Sequence, residues 1–313
     1  MEYIRCHDIH GDRLPYPVLF LYSWKILRNT GNFLLYSSLY LAAAAVGMAY
    51  VSCFIQGFAP TIPVVAVLGM VVFSVYNLNR KTDETEDALN HAERFAFTQR
   101  YERYLFYAAV AAYGIALVIA LVHSIPAFLV AWVPILSGVV YSVPLLPKTW
   151  GYRRLKEIPL GKNLVVSFAW ATSFSLIPVY MTGIAPGYPA LTIFFFLFAW
   201  TFIASVLPDI RDRTGDAATG VITIPVLLGV RKTRILLTLV NAFALAVVLA
   251  LRVGSLNQVA SIVMLGSMAY SQACILGIDH QYDNILCDMI SDGQFLVIGM
   301  SCAIFSILVP ALW

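Results

Sequence analysis

Charge is scarce in this sequence. Asp, Glu, Lys and Arg make up 12% of its 313 residues, about half the share found in a soluble domain. That excludes a soluble enzyme with water on every side and a disordered chain, which depends on charge and polarity. Cysteine is scarce as well. The five residues Cys6, Cys53, Cys274, Cys287 and Cys302 are scattered and form no C-x-x-C pair. They exclude a disulfide-stapled module and read as small apolar residues inside helices. The ten-residue alternation of a membrane barrel is missing. The net charge is only +3, too small to imply nucleic acid as a partner. The first 17 residues hold Glu2, Arg5, Asp8, Asp12 and Arg13 and no short apolar core, so no cleavable signal peptide is expected.

Hydrophobicity is what the sequence has. Apolar residues make up 60% of it, and the mean hydropathy is +0.79. A membrane-crossing helix needs about 20 mostly apolar residues. Nine such stretches lie near 31–55, 60–79, 104–123, 125–147, 163–183, 188–208, 234–253, 257–278 and 293–312. The expected fold class is therefore an all-α integral membrane protein, a bundle of nine transmembrane helices forming one polytopic domain over 1–313. Residues 1–30 form an N-terminal segment on the cytoplasmic side, in which 18–30 mix apolar residues with Lys25 and Arg28 like an interfacial helix.

Charge sorts by side of the membrane. The connections 56–59, 123–125, 184–187 and 254–256 contain no Asp, Glu, Lys or Arg, and only Arg252 lies near that face. The remaining basic residues fall in the N-terminal segment and in 80–103, 148–162 and 209–234, and all the acids lie on the same side. Basic loops stay cytoplasmic, which puts the N-terminus inside and the reactive side chains at the cytoplasmic face of the cell membrane. The connection 279–292 is also inside and is acidic, with Asp279, Asp283, Asp288 and Asp292. It reads as a solvated face or as a lid.

Two acidic patches follow two of the spans. After the second, Asn79, Asp83 and Asp87 are spaced i, i+4, i+8 and share one helical face; Glu84 and Glu86 are rotated off it. After the sixth, Asp209, Asp212 and Asp216 are spaced i, i+3, i+7, and Pro208 is expected to kink or restart the helix there. Either run alone could be a solvated loop face. Two at matching places, four spans apart, suggest two related halves. Opposed carboxylates repel unless cations lie between them, and Mg2+ favours one or two carboxylates with phosphate oxygens and water. A diphosphate clamped through Mg2+ fits both patches. Arg94, Lys148, Arg153, Arg154, Lys156 and Lys162 are cations near enough in sequence to serve a leaving phosphate, or they simply anchor the topology. Cys6-His7-Asp8-Ile9-His10 lacks zinc-finger spacing, and His91 reads as a solvated loop residue.

This arrangement resembles the UbiA superfamily of intramembrane prenyltransferases, which has nine transmembrane helices and Asp-rich motifs after helices two and six. The family's N-D-x-x-D-x-x-x-D is matched by Asn79 to Asp87, with Arg80 in place of the first Asp. Its D-x-x-D-x-x-x-D is intact at Asp209 to Asp216. Thr223 to Gly229 resembles T-x-P-V-x-x-G, and Tyr141-Ser142-Val143-Pro144, with Lys148 beyond, resembles the Y-S-x-P segment after helix four. The R-P-x-R-P-like stretch is reduced to Asn90-His91-Ala92-Glu93-Arg94.

The resemblance implies a transferase that moves a prenyl group from an allylic prenyl diphosphate to a lipophilic acceptor: an aromatic quinone-type precursor or an isoprenoid or glycerol lipid. It implies Mg2+ and diphosphate held by Asn79, Asp83, Asp87, Asp209, Asp212 and Asp216, with Asp83, Asp87, Asp212 and Asp216 as the principal metal ligands. Lys148 and Arg94 would assist the leaving group, and Tyr141 would face the developing cation. A multi-span cation transporter using the Asp clusters as ion ligands is the alternative, but transport sites lie near the midplane, where spans two and six hold no acid. A CDP-alcohol phosphotransferase would need a second Asp run about two dozen residues from the first, and none follows Asp216.

Overall fold

The computed structural model describes residues 29–80, 92–142, 158–251, 258–278 and 284–308, with the isolated positions 144, 147, 154 and 155. No strand occurs among the described residues. The helices are α1 (Leu39–Gln56), α2 (Ile62–Asn79), α3 (Ala92–His123), α4 (Ile125–Ala131), α5 (Val133–Ser142), α6 (Gly161–Met181), α7 (Tyr188–Thr219), α8 (Ile224–Leu251), α9 (Gln258–Gly277) and α10 (Asn284–Leu308). Among the described residues, seven helices are long and apolar enough to cross a membrane; 125–140 and 289–305 are shorter apolar helices. Cys53, Cys274, Cys287 and Cys302 are free thiols buried in the bundle, as their scatter implies.

The α7 helix is the centre of the bundle. Its sequence starts it cleanly, with Gly187 extended at the N-cap and Pro189 in the first turn, and Gly220 ends it in the left-handed conformation at φ 77°. Its 32 residues rise about 48 Å, well beyond a hydrocarbon layer of about 30 Å. The last turns, after Pro208, therefore extend past the apolar layer and carry the second acidic motif on rigid helix.

The helix runs on through Pro208 and does not restart there, the second of the two outcomes expected from sequence. A proline inside a helix frees the carbonyl four residues earlier. Here that carbonyl, Ala204 O, accepts a hydrogen bond from Ser291 Oγ of α10 at 3.4 Å. The same solution recurs in α6, where Pro178 frees Phe174 O and Ser52 Oγ of α1 donates to it at 2.5 Å. In lipid no water can satisfy such a carbonyl, so a neighbouring helix does.

Other boundaries also differ from the sequence reading. The first span begins at Leu39 rather than 31, because Ser38 takes a left-handed φ of 63° and separates a short helical piece at 29–36. α3 starts at Ala92, well before 104. The stretch 125–147 divides into α4 and α5 around Trp132. α8 starts at Ile224 and is interrupted at Gly229, whose φ of 75° only glycine adopts without strain. α10 starts at Asn284, so Asp288 and Asp292 lie on a helix, not in a loop; Asp279 and Asp283 lie outside the described residues.

First and last helices close the bundle. Gly47 of α1 and Gly299 of α10 meet backbone to backbone: a Cβ on Gly47 would stand 2.5 Å from Phe295 O, and one on Gly299 would collide with Gly47 itself. Two small residues at one crossing let helices approach closely in lipid.

Candidate active site

The second acidic motif is held by α6. Lys162, in its first turn, donates from Nζ to Asp209 Oδ1 at 2.9 Å. Asn163 Nδ2 reaches Ser205 O at 3.1 Å, Ser205 Oγ at 3.0 Å and Asp209 Oδ2 at 3.4 Å. The Asp209 side chain is only 6% exposed, while the Lys162 side chain stays partly open to solvent. One turn on, Arg211 grips Asp212 with two parallel bonds of 2.8 Å, Nε to Oδ1 and Nη2 to Oδ2. Buried Asp216 accepts from Thr223 Oγ1 at 3.3 Å, across the Gly220 turn. Asp209, Asp212 and Lys162 all act electrostatically on Asp216. Three carboxylates on one helical face thus share a field in which Lys162 supplies compensating charge.

The first motif begins where α2 ends. Asn79 is the last residue of α2, and its side chain lies against α5: a Cβ on Gly138 would come within 3.2 Å of Asn79 Oδ1. Glycine at 138 is what lets α5 come that near. Tyr141 is in α5 one turn beyond Gly138; its side chain lies outside the described residues. Asp83, Asp87 and Lys148 also lie outside them, as do Glu84, Glu86, His91, Arg153, Lys156 and the 1–28 segment. Arg94 is half-buried in the first turns of α3. Beside it, Glu93 Oε2 accepts from Tyr36 Oη at 3.3 Å, and Phe97 packs on Phe33 and Tyr36 at 5.8 Å each.

Arg80, where the family pattern has Asp, has a structural task. Its guanidinium donates to Tyr36 O and to Leu35 O, the latter at 3.3 Å. Asn77 Nδ2 donates to Ser37 O at 3.1 Å. Both side chains donate to carbonyls at the broken end of the 29–36 piece, where the chain leaves the helix.

An aromatic pair links the two motifs. Tyr76, one turn before Asn79, stacks on Trp170 of α6 with centroids 6.0 Å apart and planes 1° from parallel. Asp292, Arg80 and Lys162 all act electrostatically on the Tyr76 hydroxyl. The first turn of α6 therefore grips Asp209, and its third carries Trp170 against Tyr76.

Lys162 enters the sequence reading only as one loop cation among several, and Asn163, Tyr76 and Trp170 do not enter it. A signal for the first two exists: Lys-Asn opening a stretch that is uncharged from 164 to 181.

These groups suit a hard cation by chemistry. Among the described residues no three metal-binding side chains form a closed group. A Mg2+ ion shared with a diphosphate needs only one or two carboxylates, phosphate oxygens and water, and the oxygens of Asn79, Asp209, Asp212 and Asp216 are of that kind.

Comparison with known proteins gives a consistent result. The model of the UbiA prenyltransferase family matches residues 33–284. In structure, the chain is similar to a UbiA homolog from Archaeoglobus fulgidus bound to GPP and Mg2+, with a TM-score of 0.63, 15% identity, and 87% of this chain and 99% of that chain covered. It is similar to the apo UbiA homolog from Aeropyrum pernix K1, with a TM-score of 0.59, 15% identity and coverage of 85% and 97%. It is also similar to a digeranylgeranylglyceryl phosphate synthase, with a TM-score of 0.57, 17% identity and coverage of 90% and 98%. No curated protein matches it in sequence.

Proposed function

The chain belongs to the UbiA prenyltransferase family, and on that premise we propose that it transfers a prenyl group from an allylic prenyl diphosphate to a lipophilic acceptor at the cytoplasmic face of the membrane. The observation that carries this reading is the Lys162–Asn163–Asp209 cluster at the end of α7. A buried carboxylate held by a lysine and an amide is costly to build in an apolar bundle unless it is used. The solved relative from Archaeoglobus fulgidus is described as bound to GPP and Mg2+, which supports the same ligand chemistry here. Nine membrane passages with the N-terminus inside complete the reading, α4 and α5 together making the fourth passage.

Bound Mg2+ would neutralise the diphosphate oxygens and ease departure of the leaving group. Asn79, Asp83 and Asp87 from one side and Asp209, Asp212 and Asp216 from the other would hold it. The chain's own side chains do the rest. Lys162 and Asn163 hold and aim Asp209; Arg211 does so for Asp212 and Thr223 for Asp216. Lys148 and Arg94 stabilise charge on the diphosphate more as the C1–O bond lengthens than before, which is what lowers the barrier. Tyr141 offers a ring face to the allylic carbon. The apolar bundle excludes water, so the acceptor captures that carbon.

The test uses the purified chain in lipid, labelled prenyl diphosphates of several lengths and a panel of acceptors, with products identified by mass. Excess chelator is expected to abolish transfer and added Mg2+ to restore it. Full turnover in chelator overturns the reading.

A further inference from the structure

The seam between α8 and α9 opens outward as a groove of about 610 Å³. Its lining includes Arg231, Arg234, Ile235, Thr238 and Leu239 of α8 and Leu276 of α9. None of these belongs to the acidic-motif cluster. Polar rungs fix the two walls. Arg234 Nη2 donates to Ile278 O at 2.8 Å, Gln272 Nε2 to Thr238 Oγ1 at 3.0 Å and Asn241 Nδ2 to Met268 O at 3.0 Å. The rungs pair 234 with 278, 238 with 272 and 241 with 268, so the groove follows a laced antiparallel seam.

Polarity changes along the groove. One end holds the two arginines, with Lys232 exposed beside them. Arg231 is exposed as well, and among the described residues it makes no ion pair. No acid occurs among the described residues that line the groove. Ile235, Leu239 and Leu276 present exposed apolar side chains along the rest. From Arg231 to Leu239 the helix rises about 12 Å, within half of an apolar layer about 30 Å thick. The charged end lies toward the face that carries the second acidic motif, because Thr223, which leads into α8, is bonded to Asp216. Gly229 bends α8 just before Arg231.

Cations that only fix topology need no groove. A second outward-opening groove, about 510 Å³ between α5, α6 and α7, makes the contrast: its lining, with Leu136, Phe168 and Phe198, has no charged side chain. Acyl chains suit both grooves, and only the α8–α9 groove adds an end for an anion. Guanidinium groups take phosphate oxygens in paired N–H bonds, and basic pockets between membrane helices suit anionic headgroups.

We propose that the α8–α9 groove binds one anionic phospholipid of the bilayer, with its phosphate at Arg231 and Arg234 and an acyl chain along Ile235, Leu239 and Leu276. A soluble phosphate would leave the apolar wall unused, and a zwitterionic lipid would leave the arginine pair uncompensated. The site is apart from the candidate active site and does not depend on the prenyl-transfer reading.

The test uses the purified full chain, delipidated in detergent and titrated with dioleoylphosphatidylglycerol, dioleoylphosphatidylcholine or inorganic phosphate. Native mass spectrometry counts bound lipid, and thermal melting reads stabilisation. Phosphatidylglycerol is expected to bind as one tight copy, at least about tenfold more tightly than phosphatidylcholine, the scale of one hydrogen bond to a charged group. Arg231→Gln is expected to remove most of that preference, and Arg231→Lys, which keeps the charge and loses the fork, to restore only part of it. Leu239→Gln should weaken phosphatidylglycerol binding through the acyl chain. Arg103→Gln, at an exposed cation of α3 that does not border the groove, should leave binding unchanged. Equal retention of the two lipids overturns the proposal. An equal loss in Arg103→Gln also overturns it, since that marks general attraction to cationic surface. Inorganic phosphate that stabilises the chain as much as phosphatidylglycerol assigns the arginines to a soluble anion and overturns it too. If Arg231→Gln does not fold, Arg231→Lys and Leu239→Gln decide: reduced preference in the first and weaker binding in the second support the site, and wild-type binding in both overturns it.

Discussion

The α3 and α7 helices have the same length, 32 residues each, and opposite environments. Some 72% of the apolar stretch of α7 is buried, against 22% in α3. On α3 the buried side chains form a narrow stripe of Ala109, Tyr113, Ala116 and Ala120, and Ile115, Val118, Leu121 and Val122 face outward. On α7 bulky residues are buried on several faces, including Phe196, Leu197, Trp200, Phe202, Ile203 and Val206. A membrane helix gains little from hiding apolar surface from lipid that is just as apolar; it gains from packing. The small residues of α3 make it a wall, and the large ones of α7 make it an axle. The axle carries the acidic motif, because charged groups that must stay aimed need a support that cannot tilt.

The largest test of that contrast removes a buried ring from the axle. Trp200 packs on Phe295 at 4.5 Å and on Phe196 at 5.0 Å and donates to Gln294. Trp200→Ala is expected to cost about 3–5 kcal/mol, measured by unfolding in detergent. A loss below about 1 kcal/mol would show that α7 is no better packed than α3. Next, Asp209→Asn keeps the shape of the axle and removes its charge. It should lower turnover by about 10²-fold or more while leaving the melting temperature nearly unchanged. A large drop in melting with turnover per folded molecule intact would make Asp209 a structural residue. The smallest effect belongs to the wall: Leu121→Ala, at a side chain half exposed on α3, should shift stability by less than about 0.5 kcal/mol. A larger loss there would mean that another protein or helix covers that face.

How much of this was legible in the sequence depended on what each signal measures. Hydropathy measures the thickness of the membrane, so it located the apolar part of α7 at 188–208 and missed that the helix continues to Thr219. Charges after Pro208 end the apolar stretch but not the helix, because Ser291 takes over the carbonyl the proline frees. That partner is distant in sequence, and no local pattern announces it. The same applies to α3, whose first turns are polar and helical. Spacing brought Asp209, Asp212 and Asp216 to one face correctly, since a regular helix carries all three. It could not show that Lys162 and Asn163 grip Asp209, which depends on how α6 and α7 pack. Nor could it show why Arg80 replaces an acid: it donates to the carbonyls of Leu35 and Tyr36, where the left-handed Ser38 ends the 29–36 piece.

The meeting of Gly47 and Gly299 sets an order of events in the life of the chain. These residues lie far apart in the sequence, so their contact cannot form until α10 has been synthesised. Helices two to nine must wait beside α1 with its glycine seam open to lipid. Closure then waits for α10, and it is also the step that delivers Ser291 to the carbonyl freed in α7. A nascent chain lacking α10 would hold the Lys162–Asp209 pair and still be open on one side. Assembly is thus arranged so that this side of the bundle closes only when α10 arrives.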